Sequence, residues 1–354
     1  MAARYTSGMT ADVPDLPASP TRARTIVELA KLAGVSPGTV SRALAGKSVV
    51  NPETRDRIRA LAAEHDFRLN QLASRLRTRR TGVIGVVVPL GHERRQHLSD
   101  PFFMTMIGHL ADALTENGHD IMLSRVIPDA DDWLERIVDA GMLDGVLLLG
   151  QSDQLEAIER VAARYRPLIA WGSHFPGQVH CSVGTDNLLG GRLAGEHLLA
   201  SGAERIAFLG DLRAPELRQR FDGLTAALAA NGAHAPLLLE THLASDVMGR
   251  EIAAHLERHG GAVDGVFAGS DVIAMMTLRA LADRGASVPG AVQVVGYDDL
   301  PIAIHTVPRI STIRQDFAAG ARAMVERLFA AMAGKSPRSL ELAPELIIRD
   351  STRV

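Results

Sequence analysis

The sequence predicts two differently built parts: an all-α head containing a helix-turn-helix, and a larger α/β body of two lobes with parallel, doubly wound sheets. Residues 25–44 have the pattern of two short helices joined by a tight turn, whereas short apolar runs alternate with amphipathic stretches from Val83 onward. Residues 21–80 hold 13 Lys and Arg against 5 Asp and Glu, and residues 81–354 hold 24 against 34. The sequence therefore combines a basic head with an acidic body.

The chain begins with an expected disordered extension, followed by the first helix of the head. Residues 1–20 are small and polar and include three prolines, so we expect no packed structure there. In the head, assigned to residues 21–69, Thr25 and Glu28 have the spacing of a capping box that starts a helix. Gly34 follows the last apolar residue of this helix, where a left-handed conformation ends helices readily.

The second helix of the head is predicted to be the DNA-recognition helix. Ser36 is placed to cap it and Pro37 occupies its first position, where no N–H donor is needed. In a helix-turn-helix the second helix enters the major groove, where Arg42 can donate two hydrogen bonds to guanine. The alternative is a helical hairpin in a core with a surface arginine. The candidate DNA contacts of the head are Thr25, Ser36, Pro37, Gly38, Thr39, Ser41 and Arg42.

A third helix and a short connecting helix are predicted after the recognition helix. Asn51 starts the third helix, and Asn70 caps a short helix within the linker, residues 70–80. About seven helical residues are only marginally stable in water. We therefore expect this hinge to become ordered when DNA and the same helix of a second subunit stabilise it.

Several short motifs in consistent order carry a family resemblance. AGVS..TVSRAL, NPETR, F..N.LAS.LR and TGVIGVVVP resemble the lactose/galactose repressor (LacI/GalR) family, and the similarity extends from Thr25 to the C-terminus. The resemblance implies that paired hinge helices enter the minor groove, where Leu76 wedges the central base step beside Ala73. The alternative for Leu76 is a core leucine. The hinge adds three candidate DNA contacts, namely Asn70, Ala73 and Leu76.

The body has the alternating pattern of a parallel α/β fold. Its apolar runs are 83–89, 121–126, 145–150, 167–172, 205–210, 237–240, 265–270 and 292–299, with a last strand near 346–348. These are too many strands for one small sheet, which predicts two lobes. The resemblance implies the periplasmic-binding-protein architecture with three crossings. The predicted N-lobe comprises about 81–200 and 311–335, and the C-lobe about 201–310 and 336–354.

A small-molecule effector is expected in the cleft between the lobes, beyond the carboxyl ends of the strands. The resemblance implies an effector-binding arginine and aspartate at Arg220 and Asp298. Of the Phe102 and Phe103 rings we expect one to be buried and one to face the cleft, and Asp271 is expected to cap a helix. The candidate effector contacts are Phe102, Phe103, Trp171, Asp186, Arg220, Ser270 and Asp298.

Two of these candidates retain structural alternatives, and the sequence departs from the family pattern at three places. Trp171 is either a stacking platform for a sugar or a lobe-interface residue, and Asp186 either contacts the effector or caps a helix. The loop 241–245 lacks the aromatic residue of sugar-binding members. Pro37 and Gly38 cannot hydrogen-bond a base, and Ala45 replaces a common asparagine.

These features predict a ligand-controlled transcriptional repressor of carbohydrate genes that binds a near-palindromic operator as a homodimer. A purine or another non-sugar effector is the alternative within the same architecture. A solute-binding receptor would need an export signal and no DNA-reading head. An enzyme is disfavoured because the sequence has no Walker loop, dinucleotide fingerprint, G-x-S-x-G elbow or metal-spaced His cluster.

Cysteine content and hydropathy set the remaining expectations. Cys181 is the only cysteine, which excludes a disulfide within the chain and a Cys-based metal site. No apolar run reaches the ~18 residues of a membrane span, and no hydrophobic signal core is present at the N-terminus. We therefore expect a cytoplasmic dimer without a cofactor, whose partners are operator DNA and a small effector.

Overall fold

The structure, a computed structural model, describes residues 23, 25–44, 49–67, 80–91 and 93–353. The chain divides into two compact units, Met1–Arg79 and Arg80–Val354, which we call the head and the body. The predicted extension 1–20, Ala45 and the hinge residues Asn70, Ala73 and Leu76 lie outside the described residues.

The head contains three helices around a small apolar core. These are α1 Ile26–Ala33, α2 Pro37–Leu44 and α3 Pro52–Glu64. Thr25 and Glu28 form the predicted capping box, and Gly34 ends α1 with a φ of 64°. The buried core residues are Ala23, Leu29, Ala30, Ala33, Val40, Ala43, Val50, Ile58 and Ala62. The arrangement confirms the predicted helical head.

The body contains two six-stranded sheets, one per lobe. The first sheet has the order β11-β5-β4-β3-β1-β2 and consists of β1 Val83–Pro89, β2 Asp120–Val126, β3 Gly145–Leu149, β4 Leu168–Trp171, β5 Cys181–Thr185 and β11 Leu340–Leu342. The second has the order β12-β10-β9-β8-β6-β7 and consists of β6 Ile206–Gly210, β7 Leu237–Glu240, β8 Gly265–Ala268, β9 Gln293–Asp298, β10 Ser311–Arg314 and β12 Glu345–Ile347. Every pairing is parallel except that of β10 with β12.

Helices cover both faces of each sheet, as a doubly wound fold requires. They are α4 Pro101–Glu116, α5 Trp133–Asp139, α6 Leu155–Ala162, α7 Asn187–Ala200, α8 Pro215–Ala230, α9 Ser245–His259, α10 Asp271–Asp283 and α11 Phe317–Met332. Helices α4 and α11 share a core with the first sheet, and α5 and α6 pack on its other face. The second sheet lies between α9 and α10 on one side and α7 and α8 on the other.

The predicted lobe boundaries were wrong at three places. Helix α7, residues 187–200, was assigned to the N-lobe but packs on α8 and the second sheet, because its glycines permit close helix contact. Residues 311–314 form β10, which pairs with β9 in the C-lobe. Residues 340–342 form β11, which pairs with β5 in the N-lobe. The crossings therefore follow β5, β10 and β11.

No helix among the described residues has the length and apolar character needed to cross a membrane.

Candidate functional site

Helix α2, predicted to be the recognition helix, has a polar first turn with small side chains. The hydroxyl of Ser36 accepts a hydrogen bond of 3.2 Å from the N–H of Thr39, and the two hydroxyl oxygens lie 2.9 Å apart. Arg42 is exposed, and its Nη1 lies 3.8 Å from where a Cβ at Gly38 would stand. Pro37 is exposed, whereas Ser41 is half-buried. The guanidinium of Arg42 therefore lies over a turn with little side-chain bulk.

The rest of the head holds this turn in place. The hydroxyl of Thr25 accepts from the N–H of Glu28 at 3.2 Å, so it acts as a helix cap. Arg57 in α3 donates a 3.0 Å hydrogen bond to the carbonyl oxygen of Ala33 at the end of α1. This contact places a cation at the negative end of the α1 dipole.

The body has a cavity of about 770 Å³ between the lobes, a volume that includes its part open to solvent. The cavity borders the carboxyl ends of strands from both sheets. Six predicted effector residues line it, namely Phe102, Phe103, Trp171, Arg220, Ser270 and Asp298. The seventh, Asp186, does not; its carboxylate caps α7 by accepting from the N–H of Leu189 at 2.8 Å. Asp186 therefore fits its structural alternative.

Arg220 is buried at the side of the cavity, with 5% of its surface exposed. Its Nε donates to Oδ1 of Asn187 at 2.8 Å, and its Nη1 donates to the carbonyl oxygen of Gly269 at 2.6 Å. The guanidinium carbon lies 3.5 Å from the ring centroid of Tyr297, a cation–π arrangement. Two edges and one face of the guanidinium are thus fixed by the protein.

Asp298 ends β9 in a backbone conformation that non-glycine residues rarely adopt. Its φ is 113°, and the next residue, Asp299, has a φ of 57°. Gln315 donates a 2.7 Å hydrogen bond to Oδ1 of Asp298, and Arg314 pairs with Asp299 at 2.7 Å. Such strained residues persist where surrounding contacts over-determine them, and they cluster at ligand sites.

Burial is the main cause of raised pKa values for two carboxyl groups, one that lines the cavity and one beside it. It raises the pKa of Asp298 to about 7, although the nearby charge of Arg220 and the hydrogen bond from Gln315 act in the opposite direction. Burial also raises the pKa of Asp271 well above its ordinary value, and the charge of Asp298 adds to this shift.

The prediction that Asp271 caps α10 was wrong. Ser270 is the cap and accepts from the N–H of Ile273 at 3.3 Å. The carboxylate of Asp271 instead accepts from the hydroxyl of Thr312 and from the N–H of Leu300, both at 2.7 Å. Because these donors come from distant segments, Asp271 joins the end of β9 to β10.

An aromatic wall closes the N-lobe side of the cavity. The Phe102 ring is half-buried and lies edge-on to Phe103 and Phe317, with centroid distances of 5.4 and 5.7 Å. Phe103 is buried, as expected for one of the two rings, yet both line the cavity. Trp171 lines the cavity but is only 3% exposed and packs against Gly320.

Sequence reasoning missed several residues that line the cavity, among them Gln96, Asp100, Glu216 and Leu243. Asp100 caps α4 through the N–H of Phe102 at 2.9 Å and accepts from Gln96 at 3.0 Å. Oε1 of Glu216 accepts from the N–H of Ser173 at 3.2 Å and so connects the C-lobe to the N-lobe. Its spacing of four residues from Arg220 on one helix was the available signal, because such residues share a face.

Metal binding has no structural support in the described part of the chain, where no group of three or more His, Cys, Asp or Glu is arranged to hold an ion.

Two family models match this chain. The model described as bacterial regulatory proteins, lacI family, matches residues 25–70, and the one described as a periplasmic binding protein-like domain matches residues 196–352. The HTH-type transcriptional regulator GntR of Pseudomonas aeruginosa is 31% identical over 334 residues, which cover 93% of this chain and 95% of that protein.

Solved structures show the same fold. A transcriptional regulator CelR–cellobiose complex is 29% identical with a TM-score of 0.68, covering 93% of this chain and 100% of that one. A lac repressor dimer bound to operator and the anti-inducer ONPF is 24% identical with a TM-score of 0.81, covering 93% and 99%. At that identity the second match concerns the fold alone. These matches confirm the predicted architecture of head and body.

Proposed function

The chain belongs to the LacI family of bacterial regulatory proteins, and on that premise we propose that it is a sugar-responsive transcriptional repressor acting as a homodimer. Its relatives are DNA-binding transcriptional regulators rather than enzymes. We infer that it works in the cytoplasm, because that is where bacterial operator DNA is found.

The distribution of polar and apolar groups in the cleft carries the proposal of a sugar. The N-lobe contributes an aromatic wall, whereas the C-lobe contributes Arg220, Ser270 and Asp298. A sugar ring has an apolar face of C–H groups and a rim of hydroxyls, so it complements both sides at once. The CelR relative, which is similar along nearly the whole chain, binds cellobiose in its solved complex.

We further propose that ligand and DNA are coupled through the N-lobe. Strand β1 starts at Val83, only a few residues after the linker 70–80 that follows the head. A ligand that binds the closed lobes more tightly than the open lobes shifts the population of the two states. If that shift changes how the paired hinges meet, the ligand changes the affinity for DNA, and by linkage DNA changes the affinity for the ligand by the same factor.

On the DNA side, we propose that α2 enters the major groove with Ser36, Thr39, Ser41 and Arg42 toward the bases and phosphates. Thr25, Pro37 and Gly38 would lie beside the sugar-phosphate backbone of the DNA. Asn70, Ala73 and Leu76 would contact the minor groove, as the family resemblance implies.

The proposal is tested by selecting duplexes from a random inverted-repeat library with the full chain, followed by fluorescence anisotropy at several salt concentrations. We expect a near-palindromic sequence whose half-sites are about 10 base pairs apart and whose affinity falls steeply with salt. A sugar that raises the melting temperature should then change the operator affinity by about tenfold or more. Selection of no sequence, or a bound sugar without effect on DNA, would overturn the proposal.

A further inference from the structure

We propose that the cleft selects uncharged, hydroxyl-rich sugars and rejects the acid and phosphate forms of the same sugars. This inference rests on the proposed sugar-sensing function and restricts its ligand class. It is carried by three carboxylates that line the cavity, those of Asp100, Glu216 and Asp298. Among the described lining residues, Arg220 is the only cationic side chain that faces them.

The charge of Arg220 is already engaged by the protein. Two of its nitrogens donate to Asn187 and to the carbonyl of Gly269, and its face lies on the ring of Tyr297. Its field also stabilises the ionised form of Asp298. Above a pH of about 7, where Asp298 is ionised, an anionic ligand would therefore compete with existing acceptors for one guanidinium while it approached three carboxylates.

The two lobes place carboxyl groups opposite each other before any ligand arrives. Asp100 belongs to the N-lobe and Asp298 to the C-lobe, and the negative charge of Asp100 raises the pKa of Asp298. Burial raises the pKa of Asp100 as well. A further negative charge between these groups is unfavourable, because charges interact strongly where water is partly excluded.

The same carboxylates leave acceptor capacity for hydroxyl donors. Oε1 of Glu216 accepts from Ser173 and Oδ1 of Asp298 accepts from Gln315. Neither Oε2 of Glu216 nor Oδ2 of Asp298 accepts a hydrogen bond from the residues that the structure describes. Sugar hydroxyls can donate to these oxygens, whereas a ligand carboxylate or an ionised phosphate has little to donate.

The experiment compares matched ligands by isothermal titration calorimetry on the full chain. Glucose, galactose, ribose and cellobiose are each tested beside a uronate or terminal phosphate of the same skeleton. The corresponding uronamide is the control ligand, because it has nearly the size of the uronate but carries no charge. For any skeleton that binds, we expect the charged form to bind at least about tenfold more weakly than the free sugar and the amide.

Asp100→Asn is the informative variant, because asparagine is an equally good helix cap and removes only the charge. It should lower the ratio of the Kd of the charged ligand to the Kd of the free sugar by roughly threefold, because two of the three carboxylates remain. Asp316→Asn is the control, since Asp316 caps the 16-residue helix α11 as Asp100 caps the 16-residue helix α4 but does not line the cavity.

The outcomes separate this inference from the proposed function. A uronate or phosphate that binds the wild type as tightly as its free sugar overturns the charge selectivity but leaves sugar sensing intact. If the ratio of the Kd of the charged ligand to the Kd of the free sugar is the same in Asp100→Asn as in the wild type, the selectivity is not due to these carboxylates. If no skeleton binds in any form, sugar sensing fails and the selectivity fails with it.

Discussion

Gly191 in α7 lies so close to Arg220 in α8 that a Cβ at position 191 would stand 2.0 Å from the Arg220 carbonyl oxygen. The contact is reciprocal, because a Cβ at Gly223 would lie 2.0 Å from the carbonyl oxygen of Leu188. The backbones of the two helices therefore touch where the guanidinium enters the cleft. The absence of side chains at these glycines sets the position of Arg220.

Replacing Gly191 with alanine should force these helices apart. We expect Gly191→Ala to lower the free energy of unfolding by about 1–3 kcal/mol through overpacking and to weaken ligand binding through displacement of Arg220. Urea denaturation measures the first effect and calorimetry the second. Gly108→Ala is the matched control, because Gly108 lies in α4 with nothing within 4 Å of its Cβ position. That variant should gain about 0.5–1 kcal/mol, and equal stability of the two variants would contradict the close contact.

The raised pKa of Asp298 predicts a defined pH dependence of stability. The folded protein holds this proton up to a pH of about 7, whereas the unfolded chain releases it near a pH of about 4. The contribution of Asp298 to stability therefore falls as the pH rises through this window and is constant above it. Asp298→Asn removes this titration, so the variant should gain stability relative to the wild type between those limits. Urea denaturation at closely spaced pH values measures the difference.

Asp350 is a control, because its contribution to stability should depend on pH in the opposite direction. A hydrogen bond from Arg309 lowers the pKa of this exposed carboxyl group. The stability that it contributes is present above the pKa of the unfolded chain and is lost as the pH falls. Asp350→Asn should therefore lose stability near neutrality and approach the wild type in acid. A pH-independent difference for Asp298→Asn would refute the raised pKa.

Local signals explain why the head and most strands were predictable. The capping box of Thr25 and Glu28 and the left-handed Gly34 depend only on neighbouring residues. Parallel strands buried on both faces, such as β3, appear as continuous apolar runs. Strands β10 and β11, with sequences STIR and LEL, are short and partly polar, and the partner of β11 is the distant strand β5.

Site residues were predictable where the family resemblance supplied them. They were not predictable where the role of a side chain depends on partners that are distant in the chain. Arg220 and Asp298 were identified from the resemblance, and both line the cavity. Asp271 was predicted to be a cap, but Thr312, which lies 41 positions further along the chain, draws its carboxylate inward. Glu216 was missed because its partner, the N–H of Ser173, belongs to the other lobe.

The hydrogen bond from Ser173 to Glu216 predicts protection of one amide at a contact between the two lobes. Glu216→Ala removes the acceptor, so the Ser173 amide should exchange with deuterium faster in the unliganded protein. Hydrogen–deuterium exchange of a peptide that spans this amide measures the change. Glu216→Gln keeps an oxygen acceptor and should retain most of the protection. The exposed Arg218→Ala on the same helix should have no effect, and equal exchange in all four proteins would exclude the contact between the lobes.

Arg42 should determine sequence preference rather than general affinity. Its side chain is exposed, so Arg42→Ala should leave the head folded while it weakens binding to the selected operator by about 1–3 kcal/mol. The loss should be concentrated at one base pair in each half-site, because a bidentate contact to guanine reads a single base. Anisotropy titrations against single-substitution duplexes measure this pattern. Arg59→Ala is the control, since Arg59 is exposed on α3, outside α2, and we expect it to contribute only to general attraction. If Arg42→Ala weakened selected and scrambled duplexes equally, Arg42 would be a phosphate contact and base recognition would have to come from other residues of α2.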